Sequence, residues 1–160
     1  ILESKNWGDF VIAKSFMFYA VLSVVTLFIS GPLVDKYTSR KILPIMNIPS
    51  LFAMLILFYS DNYISSYFLL GLMGISNGLA NVLGSSTWAE IYGVKYLGSI
   101  KALTTAMMVF STAFGTAVFG IIIDKGYPIE TIAMISFAYI ISTNILIIIF
   151  RSKINPIFVK

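Results

Sequence analysis

Residues 15–34 read SFMFYAVLSVVTLFISGPLV, a run of 20 residues without a charged side chain. A helix needs about 20 mostly apolar residues to cross the hydrocarbon core of a bilayer. Four further uncharged runs follow along the chain, with 19 residues after Lys41, 28 after Asp61, 22 after Lys101 and 20 after Glu130. The sequence therefore predicts five transmembrane helices.

The predicted fold class is an all-α integral membrane protein, with residues 1–160 forming one bundle of about five antiparallel transmembrane helices. The connections between the runs are short, which makes neighbouring helices antiparallel. Membrane strands would be about 9–11 residues long and would alternate in polarity, a pattern that these runs lack. The predicted spans cover about residues 11–34, 42–60, 63–90, 101–123 and 129–150.

The composition excludes several classes of protein. The chain is 58% hydrophobic and 11% charged, whereas a soluble domain carries roughly 25% charged residues. It has no cysteine and no histidine, so thiolate metal sites, disulfides and the commonest general base are absent. We therefore predict a protein that is not an enzyme and has no metal or other cofactor.

Most of the basic residues collect on one side of the predicted bundle. That side carries eight of the 11 lysines and arginines, namely Lys36, Arg40, Lys41, Lys95, Lys101, Arg151, Lys153 and Lys160. The positive-inside rule places such a side in the cytoplasm. We predict a multi-pass protein of the cell (inner) membrane with a cytoplasmic C-terminus, and no nucleic acid among its partners. An odd number of spans that starts outside also predicts further spans upstream.

A charged motif, GPLVDKYTSRK at residues 31–41, lies between the first and second spans. It resembles the cytoplasmic signature of the major facilitator superfamily, G-x-x-x-D-[RK]-x-G-x-[RK]-[RK]. The matching positions are Gly31, Asp35, Lys36, Arg40 and Lys41. Thr38 stands where the second glycine is expected, so the turn there is expected to differ in shape. The alternative is that these residues are ordinary charges that set the topology.

Two later segments extend the resemblance. Residues 88–102, WAEIYGVKYLGSIKA, are similar to a segment that follows helix ten in many bacterial members, and residues 124–128, DKGYP, look like the short outer turn before helix twelve. The resemblance implies helices eight to twelve of a twelve-helix transporter that moves a small solute by alternating access. Its implied partners are that solute, the lipid bilayer and the missing N-terminal half. A non-transporting membrane scaffold or accessory subunit is the alternative.

Polar residues form stripes on three of the predicted spans. Tyr19, Ser23 and Thr26 recur at helical spacing, as do Asn77 and Asn81 in the third span. We predict that such stripes line a substrate pathway, with these candidates: Tyr19, Ser23, Thr26, Asn77, Asn81, Thr105 and Thr112. The alternative is close helix packing, which small residues permit. Gly74-x-x-x-Gly78 favours packing, whereas the two asparagines favour a cavity or gate.

The resemblance also implies a conformational latch on the cytoplasmic side. Its candidate residues are Gly31, Asp35, Arg40 and Glu90. Arg40 is expected to reach Glu90, because both lie at span ends on the same side. Asp35 is expected to meet the N-terminal end of the fourth helix near residues 98–100, where free N–H groups point outward.

The predicted orientation can be checked by labelling. Cysteines introduced at Ser39, Gly98 and Ser152 are expected to react with a membrane-impermeant maleimide from the cytoplasm only, because all three lie on the basic side. Labelling of intact cells measures this against labelling of opened vesicles. Reaction of any one site from outside would overturn the orientation.

Overall fold

A computed structural model describes residues 7–150 of the 160-residue chain. Within those residues the chain forms α-helices and two short 3-10 turns, at Leu43–Ile45 and Val94–Tyr96, and no strand. The helices are α1 Asp9–Tyr37, α2 Ser39–Ile42, α3 Ile48–Tyr59, α4 Ser65–Tyr92, α5 Leu97–Asp124 and α6 Ile129–Phe150.

Five segments are long and apolar enough to cross a membrane, with mean hydropathies between 1.3 and 2.3. They are Asp9–Tyr37, Ser39–Tyr59, Ser65–Tyr92, Val94–Asp124 and Ile129–Phe150. The predicted all-α membrane fold is therefore confirmed. Several helices extend beyond the predicted spans, as α5 does by starting at Leu97. A charge such as Lys101 marks where the apolar run ends, but it does not end a helix.

The third span, α4, occupies the centre of the packing. It contacts α1 and α3, and α3 in turn contacts α6. One apolar cluster, here the Trp7 cluster, combines Trp7, Ala53, Met54, Leu57, Leu69 and Ala133. A second, the Leu83 cluster, combines Val34, Ile42, Leu79 and Leu83 nearer the basic end. The apolar core is thus divided into two clusters along the bundle.

The contact between α1 and α4 brings two helix backbones together. A Cβ added to Gly74 would lie 2.5 Å from the carbonyl oxygen of Tyr19, and one added to Gly78 would lie 2.6 Å from that of Ser23. These glycines therefore allow a backbone approach that any larger residue would prevent. The packing interpretation of Gly74-x-x-x-Gly78 agrees with this geometry.

The second span is broken near the basic end. It consists of α2, the turn Leu43–Ile45, and α3, with Pro44 inside the turn and Pro49 in the first turn of α3. Proline has no N–H and clashes with the preceding turn of a helix. The two prolines therefore lie where the second span is interrupted.

The fourth span, α5, contrasts with the others because none of its residues is buried. Phe110 is 75% exposed and Phe114 is 65% exposed. In a bilayer such side chains can face lipid or another helix, so α5 has a large surface available to a partner.

The glycine contact gives a matched test within one helix. Gly74→Ala and Gly78→Ala should each destabilise the protein by about 1–3 kcal/mol, because α1 and α4 must move apart to accept the methyl group. Gly84→Ala is the control, since a Cβ there has no atom within 4 Å, and alanine favours a helix. Apparent melting temperatures of the three purified variants measure the effect. Equal melting temperatures would contradict the contact.

Candidate functional site

The connection between the first two spans turns at Thr38. This residue has φ 66° and ψ 143°, and its N–H donates to the carbonyl oxygen of Val34 at 2.9 Å. Its hydroxyl donates to the carbonyl oxygen of Tyr37. A positive φ is uncommon for a β-branched residue, whereas glycine adopts it readily. Threonine therefore occupies a turn of the kind that favours glycine.

Glu90, near the end of α4, binds the start of α2. Its Oε1 accepts a hydrogen bond from the backbone N–H of Ser39 at 2.8 Å, and its Oε2 lies 3.7 Å from Nε of Arg40. Thr87, three residues earlier on α4, donates to the hydroxyl of Ser39 at 3.0 Å. One carboxylate and one hydroxyl of α4 thus hold the turn between the first two spans.

Two of the four predicted latch residues come together. Arg40 and Glu90 meet, whereas a Cβ added to Gly31 would have no atom within 4 Å. Asp35 is exposed, and no hydrogen bond or ion pair within residues 7–150 joins it to the start of α5. The reason is helical geometry, because Val34 packs into the Leu83 cluster and Asp35 projects in another direction.

Ser39 itself is fully buried. A cysteine at this position would be shielded whichever side of the membrane it occupied. Lys36, which is exposed, is the better position for the labelling test.

The predicted pathway residues of α1 lie along its contact with α4. The Tyr19 backbone meets Gly74, and Thr26 packs against Gly78. Ser23 accepts a hydrogen bond from Nδ2 of Asn77 at 3.1 Å. These α1 side chains are partly buried, so they form one wall of a helix contact.

The two predicted asparagines lie at the edge of that contact. Both Asn77 and Asn81 are exposed, and Nδ2 of Asn81 donates to the carbonyl oxygen of Asn77 at 2.9 Å. Ser85 continues the chain of hydrogen bonds by donating to the carbonyl oxygen of Asn81 at 3.3 Å. An exposed amide edge therefore runs along α4.

Thr105 and Thr112 are separate from this edge. Both lie on α5 and are exposed, and the Thr112 hydroxyl donates to the carbonyl oxygen of Met108 within its own helix at 2.8 Å. The structure thus groups five of the seven pathway candidates at the contact of α1 with α4 and leaves two on α5.

A sequence model of the Major Facilitator Superfamily matches residues 1–156. The chain belongs to the major facilitator superfamily. No curated protein and no solved structure matches it. The family consists of membrane transporters rather than enzymes, so this chain belongs to a multi-pass protein of solute transport. The resemblance found at residues 31–41 is confirmed at the level of the superfamily.

Two side chains that contact each other beside Glu90, those of Ser39 and Thr87, were not among the residues predicted from the sequence. Ser39 and Thr87 are both nearly or fully buried and complete the hydrogen bonds around the turn. Thr87 lies three residues before Glu90, so the two share one helical face. That spacing could have predicted Thr87 as a neighbour of Glu90. Ser39 contributes mainly a backbone N–H, which a pattern of side chains does not reveal.

The helix bundle also contains a cleft that was not predicted from the sequence. It has a volume of about 610 Å³ and lies between α3, α4, α5 and α6. Its wall is mostly apolar with a few hydroxyls, and includes Ser50, Met73, Ser111, Phe114, Ser136 and Tyr139. None of the seven predicted pathway residues lines it.

The turn at Thr38 gives a paired test, because Gly93 at the end of α4 has a similar conformation, φ 74° and ψ 169°. Thr38→Gly should stabilise the protein by about 1 kcal/mol, since it relieves a strained backbone. Gly93→Ala should destabilise it by a similar amount, about 1 kcal/mol. Thermal unfolding of both variants measures the two signs. A loss of stability in Thr38→Gly would contradict a strained turn.

Proposed function

We propose that this chain forms the C-terminal half of a secondary-active transporter that moves a small solute by alternating access. The observation that carries the proposal is the binding of Glu90 to Ser39 and Arg40. It joins two spans at one end of the bundle only, within the segment that resembles the superfamily signature. A contact of this kind can hold one side closed and can break when that side opens.

The strength of this contact fits a reversible latch. The Arg40 and Glu90 side chains are each only 26% exposed, and the distance of 3.7 Å from Nε of Arg40 to Oε2 of Glu90 is too long for a hydrogen bond. The hydrogen bond from Ser39 to the carboxylate contributes more, about 1.5–3 kcal/mol for a bond to a charged group. We infer that the backbone N–H of Ser39 is the main partner of Glu90 and that Arg40 assists.

The pathway in this proposal follows the exposed amide edge. Asn77 and Asn81 face the solute, and Ser23 positions Asn77 through its hydrogen bond. Tyr19 and Thr26 support the edge from the contact between α1 and α4. Thr105 and Thr112 contribute hydroxyls from α5 when the pathway is complete.

Further spans of the same transporter complete the pathway in this proposal. The support is the surface of α5, which has no buried residue, together with the cleft beside it. An N-terminal half that packs against α5 would cover both. The basic side then faces the cytoplasm with the C-terminus, in the cell (inner) membrane, by the positive-inside rule.

A non-transporting scaffold or accessory subunit is the alternative function. Membership of a transporter family favours transport. Uptake of solutes by the full-length protein in reconstituted vesicles distinguishes the two, because a scaffold gives no uptake above that of empty vesicles with any solute in a broad panel.

The latch predicts a graded effect on that uptake. Glu90→Ala should reduce the transport rate about tenfold or more, because it removes the acceptor of a charge-assisted bond worth about 1.5–3 kcal/mol. Glu90→Gln should reduce it less, since an amide oxygen can still accept from the Ser39 N–H. Asp124→Asn, an exposed carboxylate on another turn, is the control and should transport normally.

Exchange of the two charges tests Arg40 separately. Arg40→Glu should impair transport, and Arg40→Glu with Glu90→Arg should restore only part of it, because arginine cannot accept from the Ser39 N–H. Wild-type transport by Glu90→Ala would end the latch proposal and leave these residues as topology charges.

A further inference from the structure

The cleft between α3, α4, α5 and α6 is lined without a charged side chain. Its volume of about 610 Å³ lies within the range of about 300–1,000 Å³ that is usual for small-molecule sites. Its wall contains four aromatic residues, Phe110, Phe114, Phe119 and Tyr139, and no Asp, Glu, Lys or Arg. A charged ligand would lose its hydration there without gaining a partner of opposite charge. The wall therefore favours an uncharged molecule.

Three hydroxyls of the cleft wall lack a hydrogen-bond partner. Within residues 7–150, the side-chain hydroxyls of Ser50, Ser111 and Ser136 form no hydrogen bond. The hydroxyls of Thr116 and Ser142, on the same helices α5 and α6, instead donate to carbonyl oxygens of their own helices at 2.8 Å. A polar group in apolar surroundings is destabilising unless it is hydrogen-bonded. The three serines are thus available to a ligand.

These serines also lie at a similar depth in the membrane. Their spans cover Ser39–Tyr59, Val94–Asp124 and Ile129–Phe150, and each serine is within about one helical turn of the midpoint of its span. The position of Ser50 is fixed further by its N–H, which donates to Oγ of Ser76 at 3.0 Å. Lipid chains at this depth offer neither donors nor acceptors. An acyl chain in the cleft would therefore leave the three hydroxyls unpaired.

The size of the cleft distinguishes a small molecule from a further helix. A membrane-spanning helix about 10 Å wide and 30 Å long occupies roughly 2,400 Å³. The cleft holds about a quarter of that volume. A helix that packs against α5 can thus close the mouth of the cleft, but it cannot enter it as a whole span.

We propose that this cleft binds an uncharged, largely apolar small molecule with one or two hydrogen-bonding groups. Ser50, Ser111 and Ser136 bind those groups, and the aromatic wall holds the apolar part. The site is separate from the amide edge of Asn77 and Asn81, neither of which lines the cleft. The proposal therefore goes beyond the transport pathway and does not depend on it.

A matched pair of photoreactive probes tests this site in the full-length protein in lipid nanodiscs. The first is a biphenyl methanol that carries a trifluoromethyl diazirine, and the second has a methyl group in place of the hydroxymethyl group. The alcohol should label residues of the cleft wall such as Met54 and Met73, and unlabelled biphenyl methanol should compete with it. The methyl probe should label them at least threefold less, because it cannot bond to the serines. Mass spectrometry of peptides measures both.

Two glycines of α5 provide a steric test of the same labelling. Gly115 lines the cleft, whereas Gly120 does not, and a Cβ added to either would have no atom within 4 Å. Gly115→Leu should reduce labelling of the wall by the alcohol at least fivefold, because its side chain fills the cleft. Gly120→Leu is the matched control and should keep the wild-type level.

Two serine variants test the hydrogen bonds without filling the cleft. Ser111→Ala combined with Ser136→Ala should raise the concentration of unlabelled alcohol needed for competition about fivefold or more. Thr116→Val is the control, because that hydroxyl already donates within its own helix, and it should leave competition unchanged. Equal labelling by both probes without competition would show access of lipid chains only and would overturn the proposal. Absence of labelling in the cleft, or wild-type labelling in Gly115→Leu, would overturn it as well.

Discussion

Every backbone N–H and C=O group within a bilayer must find a partner inside the protein, because lipid offers none. Within a continuous helix most of these groups pair with each other, whereas the second span is interrupted between α2 and α3. Two N–H groups of this span, those of Ser39 and Ser50, donate to side chains of α4. Glu90 accepts from the Ser39 N–H, and Ser76 accepts from the Ser50 N–H. The third span thus holds the second near the start of both α2 and α3.

The third span, α4, has three surfaces with different roles. Gly74 and Gly78 meet the backbone of α1, and Ser76 with Glu90 holds the second span. Asn77 and Asn81 are exposed on the remaining side. A helix that must serve three surfaces has little room for large apolar side chains, which explains its lower mean hydropathy of 1.3. The small and polar residues of α4, which first indicated a substrate pathway, therefore divide into glycines that pack against α1 and asparagines that are exposed.

The spacing of charges was sufficient to predict the spans, because bilayer thickness sets the length of an apolar run. Residue types also predicted the glycine contact, since only small residues let backbones touch. The direction of the Asp35 side chain could not be predicted from the sequence, because either residue 34 or residue 35 could have been on the face of α1 that packs against the bundle. The stripe of Tyr19, Ser23 and Thr26 could indicate either a substrate pathway or a helix contact, because helical periodicity shows which residues share a face but not what that face contacts. The cleft beside α5 depends on distances between helices, which no local pattern encodes.

The two apolar clusters lie on opposite sides of the break in the second span. α2 contributes Ile42 to the Leu83 cluster, and α3 contributes Met54 and Leu57 to the Trp7 cluster. A change in the angle between α2 and α3 can therefore leave each cluster packed. Because lipid is as apolar as these side chains, each cluster is held by close van der Waals packing between the helices. In the proposed mechanism, opening of the basic side breaks the hydrogen bond between Ser39 and Glu90 first, and the Trp7 cluster stays intact as the fixed end.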